Sequence, residues 1–324
     1  MNILCRARAL FLAIVILSGV AAFAEKPPVK TVAVKLALNW KPEPQFGGFY
    51  AAELLKLDVK NGVQLQIQPG GAGTPVVQMV SAGQVDFGIA SADEVVLSRA
   101  NGSDVVALFA VYQTNPQAIM ARADRGFRSL ADVFGNDGTV AMQKGLPYVT
   151  FLQRKYEKDM KVKVVPYVGG ISNFLADPKH SQQCFVTSEP LLAKAKGVEA
   201  TSFLVAESGY NPYTTVLISR RSFVKANSQL TQAMVSAVRE GWLRYLTDEK
   251  AAEVTHTRMH ELNPSLDLDT FRSSAQAQKS LILPEKAADL GRMSEKRWTE
   301  LQEQLFDLKI LKRRVPALEL FRNE

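Results

Sequence analysis

Apolar and polar positions along the first hundred residues switch between two periods. Residues 31–38 alternate and then turn fully apolar, as a strand buried on both faces does. Residues 63–68 set Val63, Leu65 and Ile67 against polar neighbours, which predicts a second strand, and the apolar runs 85–90 and 105–112 predict two more. Between them lie helical stretches. Residues 49–57 are apolar and helix-compatible. Thr74 as cap and Pro75 as first residue open a helix that Gly83 closes, and Ser91-Ala92-Asp93-Glu94 opens another that ends near Gly102.

The pattern then restarts. Strands are predicted at 117–121, 139–142, 162–167, 184–187, 201–206 and 215–219. Helices are predicted from Gly145-Leu146-Pro147 to about Lys158, and over 190–196. Strands alternating with helices of about ten residues predict a mainly parallel α/β sheet. The last hundred residues read as helical. Leu230, Met234, Ala237, Val238, Gly241 and Tyr245 share one face of a helix capped near Asn227 or Ser228. Phe271 lies in another helix, and Ser294 caps a third with Trp298, Leu301, Leu305 and Leu308 inward. These stripes are read as core.

The N-terminus falls outside this alternation. Arg6 and Arg8 precede an unbroken apolar run, and Ala22-Phe23-Ala24 is a small-x-small cleavage pattern, so residues 1–24 are predicted to be a secretory signal peptide. The run is shorter than the ~20 residues a bilayer-spanning helix needs. No cysteine stands just after it, so no lipid anchor is expected. Cleavage leaves Cys184 as the single thiol and excludes an internal disulfide. The full chain has 324 residues, too many for one ordinary core, which predicts two lobes. Its formal charge of +7 is spread thinly and points to no nucleic acid.

Catalytic patterns are sparse. His256 and His260 are four apart on a predicted helix, but Thr257 stands where a zinc-protease helix carries glutamate; a solvated helix face accounts for the pair, and no metal is expected. No Gly-x-Ser-x-Gly or phosphate-binding glycine loop joins a strand to a helix. Cys184 has no histidine at catalytic spacing and reads as a buried small hydrophobe.

Loops after strands are richer, and ligands of such sheets bind there. The loop after the first strand sets Trp40, Phe46, Phe49 and Tyr50 around prolines and glycines, suited either to holding a flat ligand or to ordinary packing. Ser91 and Glu94 stand at a helix start, where a capping box also explains them. Tyr148 follows Gly145-Leu146-Pro147. Glu189 lies between a strand end and a Pro-initiated helix, placed either to accept ligand N–H groups or to complement the helix dipole.

Leu38-Asn39-Trp40-x-Pro-x-Pro-x-x-Gly-Gly-Phe-Tyr-Ala-Ala, then Gly83-Gln84-Val85-Asp86-Phe87-Gly88-Ile89 with Glu94, then Ser188-Glu189-Pro190, resemble the NMT1/THI5-like group of substrate-binding proteins of ABC importers. The resemblance runs from about Thr31 to at least Tyr245. It implies a two-lobed α/β fold of the periplasmic binding protein type II class, with a ligand cleft between the lobes. Lobe one would be 25–115 plus 214–324, and lobe two 116–213. It places Trp40 against a ligand ring and Glu189 on its amino groups. Thiamine-related pyrimidines are the best-known ligands of the branch; Phe46 stands where those members carry histidine, so the ligand stays open. Eukaryotic relatives that synthesise the pyrimidine use a histidine and a cysteine-rich iron motif, and this chain has neither.

The expectation is therefore a non-enzymatic, exported, periplasmic monomer that delivers a small planar polar metabolite to an ABC permease, without a cofactor. Trp40, Phe46, Tyr50, Ser91, Glu94, Asn115, Tyr148, Glu189 and Tyr213 are the candidate ligand-binding residues. The alternatives are a periplasmic enzyme on the same fold and a ligand-sensing partner of a membrane receptor.

Overall fold

The computed structural model describes residues 31–324, so the expected signal peptide lies outside the described residues. Ten strands occupy them: β1 (Val32–Ala37), β2 (Val63–Gln68), β3 (Phe87–Ala90), β4 (Val105–Tyr112), β5 (Gln117–Arg122), β6 (Thr139–Met142), β7 (Lys163–Pro166), β8 (His180–Phe185), β9 (Ala200–Leu204) and β10 (Thr214–Arg220). They form two five-stranded sheets, ordered β2-β1-β3-β10-β4 and β7-β6-β8-β5-β9. The fold is two-lobed and α/β, one lobe per sheet.

Each sheet is parallel apart from one strand. β1 pairs in parallel with β2 and β3, while β10 runs antiparallel to β3 and β4. In the second sheet β6 is parallel to β7 and β8, while β5 is antiparallel to β8 and β9. The reversed strands, β5 and β10, are those that enter from the other lobe. The chain leaves β4 where the parallel strands of the first sheet end, so it must run into the second sheet against the strands that end on the same side. The strand exits of both lobes thus face one cleft, crossed by residues 113–116 and 211–213.

Two of the predicted elements differ in the structure. The strand expected at 184–187 begins at His180 and ends at Phe185. Its first residues are polar yet buried, because their side chains find partners: Thr139 Oγ1 lies 2.8 Å from His180 Nδ1, and Gln182 Nε2 donates to Gly170 O at 3.0 Å. Thr74 does not cap the next helix. Its hydroxyl donates to Gly71 O (3.0 Å) and accepts from Gly71 N–H (2.8 Å), and Pro75 becomes the cap of the helix Val76–Ser81.

Helices pack the first sheet closely. Helix Gly47–Leu54 lies on helix Ser228–Thr247, and a Cβ on Gly48 would stand 2.2 Å from Trp242 Cγ, so only glycine permits this approach. His256 corrects the expectation of a solvated face. It is 3% exposed, with Nε2 3.1 Å from the Tyr245 hydroxyl, while His260 Nδ1 lies 2.7 Å from Leu266 O. Among the described residues no group of three metal-ligating side chains comes together, and no helix is long and apolar enough to cross a membrane.

Candidate functional site

The loop after β1 is held from three sides. Gly70 N–H donates to Trp40 O at 3.0 Å, and a Cβ on Gly70 would stand 2.0 Å from Leu38 O, so the exits of β1 and β2 touch backbone to backbone. From the C-terminal helices, Asn263 Nδ2 donates to Pro42 O and Gln278 Nε2 donates to Pro44 O, both at 3.0 Å. Phe46, Phe49 and Tyr50 turn into the core of this lobe, and Phe46 is fully buried. Trp40 alone of the four aromatics stays out, 38% exposed, and its indole N–H donates to Glu43 Oε1 at 3.0 Å.

Glu43 was not among the expected residues. Burial, reinforced by the charge of Glu189, pushes its carboxyl up to about 7, against the lowering effect of the Trp40 hydrogen bond and of Lys41. Glu189 comes from the opposite lobe, at the start of helix Glu189–Ala195. Its Oε2 accepts the Phe185 N–H (2.9 Å) and its Oε1 the Tyr167 hydroxyl (3.1 Å), and burial again raises the carboxyl. Helix Leu268–Ile282 holds both loops one turn apart, Gln278 on Pro44 O beside Glu43 and Ser274 on Thr187 O just before Glu189, so the loops that carry the two carboxylates meet on that helix.

A small cavity of about 110 Å³ lies between the lobes. Ser91 and Asp93 of the first lobe, Asn115 of the crossing, and Gln117, Tyr148 and Phe185 of the second lobe line it. Tyr148 donates its hydroxyl to Gln183 Oε1 at 2.7 Å, and the same oxygen accepts Gln143 N–H at 2.6 Å. Burial raises the Asp93 carboxyl, and the Tyr210 hydroxyl reaches its Oδ2 at 3.4 Å. Tyr167, Gln183 and Tyr210 carry no motif of their own, and Asp93 was visible only as part of the Ser91–Glu94 helix start.

The remaining candidates are placed differently. Glu94 closes a capping box, accepting Ser91 N–H (2.8 Å) and Ser91 Oγ–H (2.9 Å). Tyr50 packs in the core with its hydroxyl buried and unpartnered. Tyr213 faces helix Glu295–Asp307: its hydroxyl accepts Ser294 N–H at 3.0 Å, and Arg297 lies 3.7 Å over its ring. Asn115 ties the two crossings together, its N–H donating to Asn211 Oδ1 (2.9 Å) and its amide to Pro212 O (3.1 Å). A larger hollow of about 670 Å³, with Glu94 on its wall, runs between helices Val76–Ser81 and Ala92–Ala100; it belongs to one lobe only and gathers no groups from the other.

A family model described as "NMT1/THI5 like" matches residues 43–252. A curated 4-amino-5-hydroxymethyl-2-methylpyrimidine phosphate synthase of Legionella pneumophila is 26% identical over 102 residues, and the match spans 32% of this chain and 32% of that protein. Among solved structures, the periplasmic aliphatic sulphonate-binding protein SsuA of Escherichia coli superposes with a TM-score of 0.68 at 13% identity, covering 90% of this chain and 92% of that one. The alkanesulfonate-binding protein SsuA of Xanthomonas axonopodis pv. citri, bound to MOPS, gives 0.63 at 13% identity over 93% and 100%. The nitrate-binding protein NrtA of Synechocystis PCC 6803 gives 0.62 at 12% identity over 90% and 86%.

Proposed function

The chain belongs to the NMT1/THI5-like family, and on that premise we propose that it is an exported solute-binding protein that carries a small planar polar metabolite to the permease of an ABC importer. In this reading residues 1–24 are removed on export to the periplasm. Residues 25–115 with 214–324 form one lobe and 116–213 the other, and the protein acts as a monomer. The observation that carries it is that groups from both lobes converge on one cleft: Trp40 and Glu43 from the first, Tyr148, Tyr167 and Glu189 from the second. A ligand touched from both sides only in the closed state drives closure by that difference in contact.

Trp40 lies against the ligand ring, Glu189 accepts its N–H groups, and Ser91, Asn115 and Tyr148 line the floor. Phe46, Tyr50 and Tyr213 support this surface from behind, and Glu94 holds the helix start that bears Ser91. The ligand resembles a thiamine-pyrimidine precursor or a related metabolite, a reading supported by the family and by the name of the Legionella relative. That name also favours a second reading, an enzyme on the same fold. Cys184 speaks against thiol chemistry there, because burial pushes its pKa well up and keeps it neutral.

A thermal-shift screen with 4-aminopyrimidines, flavins, sulfonates and nitrate tests the proposal. Saturable stabilisation by one class, without product, is expected, and Trp40→Ala loses it. Repeated turnover of the ligand would overturn the binding role in favour of the enzyme.

A further inference from the structure

Glu43 and Glu189 stand on neighbouring loops, both tied to helix Leu268–Ile282 through the bonds of Gln278 to Pro44 O and of Ser274 to Thr187 O, and neither acid has a counter-ion. None of the ion pairs among the described residues includes Glu43, Asp93 or Glu189. Lys41 and Lys144, on the loops at the cleft mouth, are exposed. Glu43 accepts one hydrogen bond, from Trp40, and Glu189 two, from Phe185 and Tyr167. An ionised carboxylate has about four acceptor sites, so both keep unused capacity. The charged and titratable groups that bear on Glu43 are Lys41 and Glu189, with the Tyr112 hydroxyl behind it; those around Glu189 are Tyr167, Tyr148 and Cys184. No cation in this set is seated between the two acids.

Bringing two ionised carboxylates together across a closing cleft is unfavourable unless something positive, or a proton, comes between them. We propose that Glu43 is a specificity-determining residue: with Glu189 across the cleft it admits a ligand that presents positive charge or N–H donors to both lobes, rejects anions, and releases a proton when a cation binds. The inference rests on the solute-binding reading and names the ligand chemistry of that site. Before binding, burial and the Glu189 charge keep Glu43 partly protonated near neutral pH. A bound cation favours both carboxylates ionised, and that proton passes to bulk water. Affinity for a ligand of fixed positive charge then rises with pH, by up to about tenfold per unit below neutrality, and levels off above it.

The charge of three nearly isosteric probes stays fixed between pH 5.5 and 8: benzamidinium, benzamide and benzenesulfonate. Calorimetric titration is expected to rank them in that order, with benzamidinium affinity rising with pH. Glu43→Gln weakens benzamidinium binding and flattens its pH dependence. Without ligand, the emission difference between the wild type and Trp40→Phe titrates near pH 7, because the Trp40 N–H is bonded to Glu43. Glu189→Gln moves that midpoint down by removing the neighbouring charge, and Glu43→Gln abolishes it while raising the melting temperature at pH 8. Tighter binding of benzenesulfonate than of benzamidinium, or a pH dependence unchanged in Glu43→Gln, overturns the inference and leaves solute binding standing. A protein that binds none of these probes and none of the screened metabolites overturns both.

Discussion

Arg297 offers the sharpest test of how the two lobes are joined. It rises from helix Glu295–Asp307 and forks onto both crossings, Nη1 donating to Gln113 O at 2.7 Å and Nη2 to Asn211 O at 2.8 Å, while its guanidinium lies 3.7 Å over the Tyr213 ring. In Arg297→Ala two carbonyls of the crossings lose a charged donor. Such bonds are worth about 1.5–3 kcal/mol each, and the lower figure applies because Arg297 is only partly buried. The cation–π contact adds about 0.5–1 kcal/mol, for a loss of about 3–4 kcal/mol. With an unfolding entropy of about 2.1 cal/mol/K per residue, a protein of this size melts about 1.6 °C lower per kcal/mol, so a fall of about 5–6 °C is expected by scanning calorimetry. Arg297→Lys recovers at most half, since a point charge does not span two carbonyls as a planar fork does. A melting temperature within about 1 °C of wild type for Arg297→Ala would refute the clamp, because even one lost bond of this kind exceeds that.

Three further outcomes follow from other contacts. Gly70→Ala places a Cβ against Leu38 O and pushes the Trp40 loop away; overpacking of about 1–3 kcal/mol lowers the melting temperature, and weaker ligand binding by calorimetry accompanies it. His256 is held neutral, its pKa lowered by burial from 6.5 to about 4, so the unfolded chain protonates first on acidification; stability falls as pH drops from about 6.5 to about 4, and denaturant titrations across that window show a shallower fall in His256→Gln. Ser274 Oγ donates to Thr187 O, linking helix Leu268–Ile282 to the loop before Glu189; Ser274→Ala costs about 1 kcal/mol and raises the hydrogen-exchange rate of residues 186–189, and unchanged exchange there argues against the link.

Strand positions were legible wherever apolar residues alternate or run unbroken: β2, β4 and β6 lie where those patterns put them. β8 was half hidden because its buried polar side chains are satisfied by partners distant in sequence, such as Thr139 and Gly170. The aromatic loop was visible as a cluster, but its division into one exposed ring and three packed ones was not. Helix Gly47–Leu54 is buried on most of its surface and gives no polar stripe to orient it. Glu189 stood out by its place between a strand and a proline. Glu43 has no such frame: its chemistry comes from Trp40 beside it and from Glu189 on the other lobe, a juxtaposition that only the fold makes.

The C-terminal helices, readable from sequence only as core, turn out to brace the cleft. The segments that line it, around Pro42, Pro44, Pro116, Pro190 and Pro212, run outside the strands, so their carbonyls need partners other than a sheet ladder. Side chains from the last helices take up that role: Asn263 and Gln278 hold the carbonyls of Pro42 and Pro44, Ser274 that of Thr187, and Arg297 those of Gln113 and Asn211. On the proposed solute-binding reading, loops fixed in this way keep Trp40 and Glu43 in place before any ligand arrives, so little ordering cost falls on binding. Motion is then left to the two crossings, where Asn115 joins the strands and Arg297 grips both. Closure is expected to turn about that point, with each lobe moving as a rigid body.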